Sequence, residues 1–594
     1  MKITPLAAGL VVGLLASPAL AQYPSDPALN VAIADGAFEE AQPKIVPAAD
    51  GGCYISWFAN DPSGSPAGGY DVRLQRLNPA GLPEWPVGGI LVADRGFSST
   101  QDYGLAVDPQ GNALLTFRDD RGVGTQITAA MVTPASFQVW GPTGIQLTST
   151  SDFLAAPKIC GTTDGHVIVA WTQNNTVRLQ RLDALGANTW GSDIVLSSGG
   201  AFSLSDMHAS DNGSAIFSFV SDSGSFGSPR ELKAQKVSPA KVPLWGAGHV
   251  PVLDSGSLQF GNFPTFVPDG AGGAVFAWYT SSPSLEVYAQ RLDTNGNELF
   301  PHNGVAVSTN ATQVRVGPSV AFDAAEQEVF VAYEELTASQ SMDGISAQKF
   351  DATGNRLWGA SGLALQPVGG NDYGDVAASE LTVGSTDGLL VTYSDSTGFG
   401  QDQLFSQRID DSGSLLGGTI PLSTTPATKY RVTSRTTPVG HVVVAWQDDR
   451  SGSAGVFAQD VLPSGVLGGE ATAVPILGSG ANPLALLSLT PPRIGQIWSV
   501  GVDKSANPGA AATAVFGYAA ASAPIVLPQG ELLLDVASPF VFVNVTAGPV
   551  TIDNHFLMVP NLVDLIGVQF ACQAVLVGGT GDVLTSGLQV TLGL

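Results

Sequence analysis

Cysteine is almost missing from this chain. Its 594 residues hold three, Cys53, Cys160 and Cys572, far apart and in no metal-ligand spacing. An odd count cannot pair completely, and the residues read as small buried hydrophobes. Charge is scarce too, at 13% of residues, and one-sided: 51 Asp and Glu against 25 Lys and Arg, a formal net charge of −26. So few cations disfavour nucleic acid and anionic membrane surfaces as partners, because phosphate binding needs clustered Lys and Arg. The acidity reads as a solubility device, with cation binding as the lesser alternative. No apolar run approaches the roughly 18 residues that a membrane span requires, and no stretch sustains a 3.6-residue period. The six histidines show no metal spacing, and His166 and His441, at equivalent places before apolar strands, read as strand-edge residues. Serine-hydrolase and phosphate-loop signatures are absent.

What the chain has in quantity is glycine (71) and proline (39), arranged in a repeat. An aromatic closes an apolar run at Trp57, Phe117, Trp171, Phe219, Trp278, Tyr333, Tyr393 and Trp446. A second run carries glutamine at Gln75, Gln180, Gln235, Gln290, Gln348, Gln407 and Gln459, with Ala130 in the second copy. Six residues later stands Gly81, Gly186, Gly296, Gly354, Gly413 or Gly465, replaced by Ser136 and Lys241 in copies two and four. Ten residues after the glutamine comes Trp85, Trp140, Trp190, Trp245, Phe300 or Trp358, degraded to Gly417 and Gly469 in the last two copies. Spacing is constant from the glutamine onward, while the gap between first aromatic and glutamine varies. One rigid unit with one variable loop is the mark of a stacked repeat.

Each copy reads as four short strands, shown clearly by Ala156–Cys160, His166–Trp171, Val177–Asp183 and Ile194–Leu196. Val167, Val169 and Trp171 alternate on one face, as a strand packed against a neighbouring sheet requires. Four strands per unit of about 55 residues predict an all-β fold, a β-propeller over 42–477. Eight blades are expected, or seven if the second or last copy is not a full blade. A lead-in segment, 22–41, carries a strand at Leu29–Ala34 that could pair with the last blade and hide an open edge. The repeat stops near Gly478. Short apolar runs over 483–594 predict a small C-terminal β-sandwich. Residues 1–21, with Lys2, an apolar core at Leu6–Ala16 and Ala19-Leu20-Ala21, read as a secretory signal, so an exported protein is expected: extracellular, cell-surface or periplasmic.

The run Val444-Ala445-Trp446-Gln447-Asp448-Asp449-Arg450-Ser451-Gly452, with Tyr288–Asp293 (YAQRLD) and Gly354–Trp358 (GNRLW), resembles the repeats of secreted bacterial β-propeller proteins, W-x-D-x-R-x-G, I-Y-A-Q-R-L-D and G-N-x-L-W. The resemblance covers about three quarters of the chain and implies the propeller without implying an activity. Ser488–Gly495 and Leu584–Thr591 resemble a C-terminal module of secreted proteins from planctomycete-like bacteria. That resemblance implies a display or retention module.

Recurrence separates structural from functional candidates. The glutamine and the basic residue after it (Arg76, Arg181, Lys236, Arg291, Lys349, Arg408) recur in nearly every unit, as a structural requirement does. Candidate ligand-binding residues lie instead at the start of the variable loop: Asp119, Asp120 and Arg121; Asp222; Glu334 and Glu335; Asp395; and Asp448, Asp449 and Arg450. Converging carboxylates there could hold Ca²⁺, which takes 6–8 oxygens, whereas an Asp–Arg pair within a turn is the structural alternative. The favoured reading is non-catalytic binding of a glycan, a peptide or an envelope protein by that loop face. The alternatives are a polysaccharide hydrolase using carboxylates of the same face, and a purely structural surface protein.

Overall fold

The computed structural model describes residues 23–62, 68–97, 100, 102–197, 200–225, 227–383, 386–468, 471–560, 565 and 568–593. The expected signal, 1–21, lies outside these residues. The repeat region forms eight antiparallel sheets, so the fold is an eight-bladed β-propeller. Blade one is typical: Glu40–Pro47, Cys53–Asp61, Gly69–Leu77 and Ile90–Ala93 pair in sequence order from the axis outward. The second copy, which lacks the glutamine, is a full blade of its own four strands, and the eighth supplies three strands of a four-stranded blade. In blade five the inner strand is split, Ser257–Leu258 and Phe266–Pro268 both pairing with Ala274–Ser282. Blade eight takes its outermost strand from the lead-in: Val31–Ala34 pairs antiparallel with Gly455–Val461. The ring is thus closed by hydrogen bonds between the two ends of the repeat, which leaves blade eight without a bare outer edge.

The repeated residues form one device for joining blades. The Gln75 amide accepts from the main-chain N–H groups of Arg76 (2.9 Å) and Trp85 (3.3 Å) and donates to Pro86 O (2.9 Å). Gln235, Gln290 and Gln348 clamp Trp245, Phe300 and Trp358 in the same way. The indole N–H then crosses to the next blade: Trp85 donates to Pro134 O (3.0 Å), Trp140 to Ala184 O (3.1 Å), Trp190 to Pro239 O (2.8 Å) and Trp245 to Thr294 O (3.0 Å). Under that ring lies the glycine of the next copy. At Gly296, φ +81°, a Cβ would stand 2.6 Å from Trp245 Cγ, and at Gly413, φ +86°, 2.8 Å from Trp358 Cδ1. Where copies two and four lack the glycine, Ser136 and Lys241 still take the left-handed conformation, φ 64° and 67°. For blade one the covering ring is Tyr23, from the lead-in. Fixed spacing from glutamine to aromatic is therefore a requirement of the seam.

The basic residue after five of the glutamines holds the acidic turn between its blade's first two strands. Arg76 pairs with Asp50, Arg181 with Asp164, Lys236 with Asp211, Arg291 with Asp269 (3.2 Å) and Lys349 with Glu328 (2.8 Å). All of these turns lie on the face away from the variable loops. His441 stands directly before the strand Val442–Asp448, as expected, and is fully buried at the seam of blades eight and one, against Asp460 (3.3 Å) and Gly51 O (3.2 Å).

After the ring, a six-stranded and a three-stranded sheet make the sandwich, around Trp498, Val500, Val515, Cys572 and Leu588. Leu462 of blade eight packs into the same cluster. All three cysteines are free and buried.

Candidate functional site

The carboxylates that the sequence singled out lie at the loop end of five different blades. The two Asp-Asp-Arg triplets have the same structure. Arg121 forks onto Asp119 (Nε–Oδ1 2.9 Å, Nη2–Oδ2 2.8 Å), and its N–H also donates to Asp119 Oδ1 (3.1 Å). Asp448 is held likewise by Arg450 (Nε 2.9 Å), and in addition by Lys429 (3.2 Å) and the Trp446 indole (3.1 Å). Asp120 accepts from Gly96 N (2.9 Å) and Asp449 from Thr428 N (2.7 Å). Arg450 also reaches Asn30 Oδ1 (3.0 Å) and Ser423 Oγ (2.8 Å), which ties the lead-in to blades seven and eight.

Asp222 caps Gly224 N (2.7 Å) and lies 3.5 Å from Arg230, and Asp395 accepts from Asn371 (3.1 Å). Glu335 pairs with the fully buried Arg315 (2.9 Å). Glu334 differs from the rest. Burial, followed by the charges of Asp375, Asp343 and Asp372, pushes its carboxyl up to about 7. Among the described residues no group of three or more His, Cys, Asp or Glu is arranged to hold a metal ion.

A second set of charges, which the sequence reading passed over, fills the axial channel. The innermost strands enclose about 780 Å³. In blades one, three, six, seven and eight the strand enters through a bulge whose extra residue has positive φ: Gln42 54°, Ala156 45°, Gly317 59°, Asp375 50° and Arg431 59°. Bulges twist a strand and re-aim the next side chains, here at the loop-side mouth. Just beyond, the residues paired with the position before each closing aromatic are Lys44, Gly104, Lys158, Asp206, Ser319, Ala377 and Thr433. Structural residues repeat with the blade, and these do not.

Asp102 bridges Lys44 (2.7 Å) and Lys158 (2.6 Å) across three blades. Burial opposes its ionisation, but the two ammonium groups outweigh that and hold its carboxyl well below the usual range. Asp206 accepts from His208 Nε2 (3.0 Å) and from the N–H groups of Met207 (2.9 Å) and Phe266 (3.2 Å). Burial again opposes ionisation, yet His208 and Lys158 lower Asp206 to about 2. Two residues further down the axis stands Arg435. Its Nη1 donates to Ser434 O (2.7 Å), and it forms no ion pair among the described residues. Its surface is accessible from the lumen although protein surrounds it, and that desolvation lowers its pKa. The wall made by blades five to seven is uncharged, with the half-buried Val267 and Val376. The only sequence signal for this site was non-repetition within the first strand, beneath a motif that repeats everywhere else.

No protein-family profile and no curated protein matches the chain. Solved structures resemble it distantly. A protein of unknown function from Dyadobacter fermentans is 10% identical, with a TM-score of 0.35 over 73% of this chain and 97% of that one. An alpha-L-arabinanase of Penicillium chrysogenum is 13% identical, TM-score 0.30, over 52% and 94%. A GH93 alpha-L-arabinofuranosidase of Fusarium graminearum is 12% identical, TM-score 0.32, over 54% and 96%. Likeness of this degree carries no argument about chemistry.

Proposed function

We propose that this chain is an exported, non-catalytic binding protein whose rigid ring presents a ligand site at the variable-loop face, centred on the mouth of the axial channel. One observation carries the reading: the charged residues that break the repeat, Lys44, Asp102, Lys158, Asp206 and Arg435, share one lumen, while most of the loop carboxylates are taken up by partners in their own or a neighbouring blade. A site needs unlike residues at one place, and ring closure supplies that place. The ligand classes are a glycan, a peptide or another envelope protein. No helix among the described residues is long and apolar enough to cross a membrane.

A second reading, hydrolysis of an extracellular polysaccharide, is favoured by Glu334 alone. A carboxyl raised to about 7 beside other carboxylates is suited to proton donation. The test is a glycan and peptide array probed with purified Gln22–Leu594, followed by chromatography of every bound polysaccharide after long incubation. Saturable binding with no shortened products is expected. Product release that disappears in Glu334→Gln would replace the binding reading with the hydrolytic one.

A further inference from the structure

The lumen has more hydrogen-bond donors than the protein uses. Arg435 carries five N–H donors and spends one on Ser434 O. Lys44 and Lys158 each spend one of three on Asp102. Asp102 and Asp206 stay ionised, and each accepts three hydrogen bonds from the protein, out of about four that a carboxylate can take. Four basic residues, Lys44, Lys158, Arg431 and Arg435, therefore line the space with two carboxylates, an excess of positive charge inside a chain whose net charge is −26. A guanidinium with no ion pair among the described residues matches a planar carboxylate in fork geometry, which a solvated monovalent ion does not exploit. The two carboxylates are acceptors for hydroxyl groups, and the wall of blades five to seven, with the half-buried Val267 and Val376, carries no charge.

Building on the binding reading above, we infer that the channel is a site for a polyhydroxylated carboxylate of sugar size, such as a uronic acid residue. Its carboxylate sits on Arg435, with Lys44 and Lys158 alongside, and its hydroxyls donate to Asp102 and Asp206. About 780 Å³ accommodates one or two sugar rings. Entry is from the loop face, past the bulges at Gln42, Asp375 and Arg431.

Isothermal titration of Gln22–Leu594 with D-glucuronate, D-glucose and inorganic phosphate tests this. Glucuronate is expected to bind one to one, with glucose and phosphate each at least tenfold weaker. Arg435→Met should weaken glucuronate at least tenfold and Arg435→Lys less, with thermal midpoints near that of the parent, since Arg435 has no ion-pair partner to strand. Equal affinity for glucose overturns the charge argument, and equal affinity for phosphate overturns the hydroxy-carboxylate assignment. Unchanged binding in Arg435→Met overturns the placement. Absence of glucuronate binding at millimolar concentration overturns the inference entirely, while a ligand found on the array would leave the binding reading standing. Should Arg435→Met fail to fold, the three ligands compared on the parent chain decide the question.

Discussion

Gly296→Ala tests the seam between blades directly. At φ +81° an alanine meets the left-handed penalty of roughly 1–2 kcal/mol. Its Cβ also falls 2.6 Å from Trp245 Cγ, a ring fixed on one side by Gln235 and on the other by its bond to Thr294 O. Inserting a methyl into such packing costs about 1–3 kcal/mol. Restricting the unfolded chain returns about 0.4–1 kcal/mol, so a net loss of about 1–5 kcal/mol, centred near 3, is expected. Gly246→Ala is the control, because φ is +76° there and a Cβ would meet nothing within 4 Å. Only the conformational part applies, about 1 kcal/mol or less. Urea unfolding of both variants, followed by tryptophan fluorescence, gives the two values. Equal destabilisation would refute the idea that the glycine is kept for the neighbouring tryptophan, and would reduce it to turn geometry.

Three further outcomes follow from the site. Glu334→Gln should stabilise the protein above pH 7 and leave it unchanged below pH 4.5. The folded carboxyl is pushed up to about 7 from the ordinary 4.5, so its burden appears as pH rises through that window. Its upper bound is about 3 kcal/mol, reduced by the solvent it still meets; denaturant midpoints at pH 4 and 8 that shift equally would refute this. Arg450→Ala should cost about 2–3 kcal/mol and Arg121→Ala about 1 kcal/mol, measured by urea unfolding, because Asp448 is fully buried whereas Asp119 keeps some exposure. Calcium is expected to leave the thermal midpoint unmoved, with or without chelator, because the loop carboxylates are spread over five blades. A ligand at one hundred times its dissociation constant would stabilise by about 2.7 kcal/mol, which is easily seen.

The repeat was legible because each blade must solve the same packing problem. Gln75, Trp85 and Gly81 recur since an indole, its clamp and the bare backbone beneath it are needed at nearly every seam. The lead-in strand was legible for a similar reason: a ring of open sheets leaves an edge, and an apolar tetrad before the first copy can fill it. Three strands of the second domain, Thr472–Ile476, Leu486–Ser488 and Ile552–Met558, escaped the reading. Their short or mixed polar stretches pair with residues distant in the chain, such as Ile476 with Gly587, and local pattern says nothing of such partners.

Sequence by itself determined the blade and showed eight copies of its motif, because those depend on contacts that repeat at fixed separation; that all eight are blades, and that the lead-in strand closes the ring, was decided by the structure. It also marked the Asp-Asp-Arg triplets, whose alternative role as turn pairs is the arrangement the structure contains. Only the tertiary structure decided where unlike residues meet. Lys44, Asp102, Lys158, Asp206 and Arg435 come from blades one, two, three, four and eight, and nothing in their neighbourhoods relates them along the chain. They share a site because eight inner strands converge on one axis, and convergence is a property of the closed ring rather than of any segment within it.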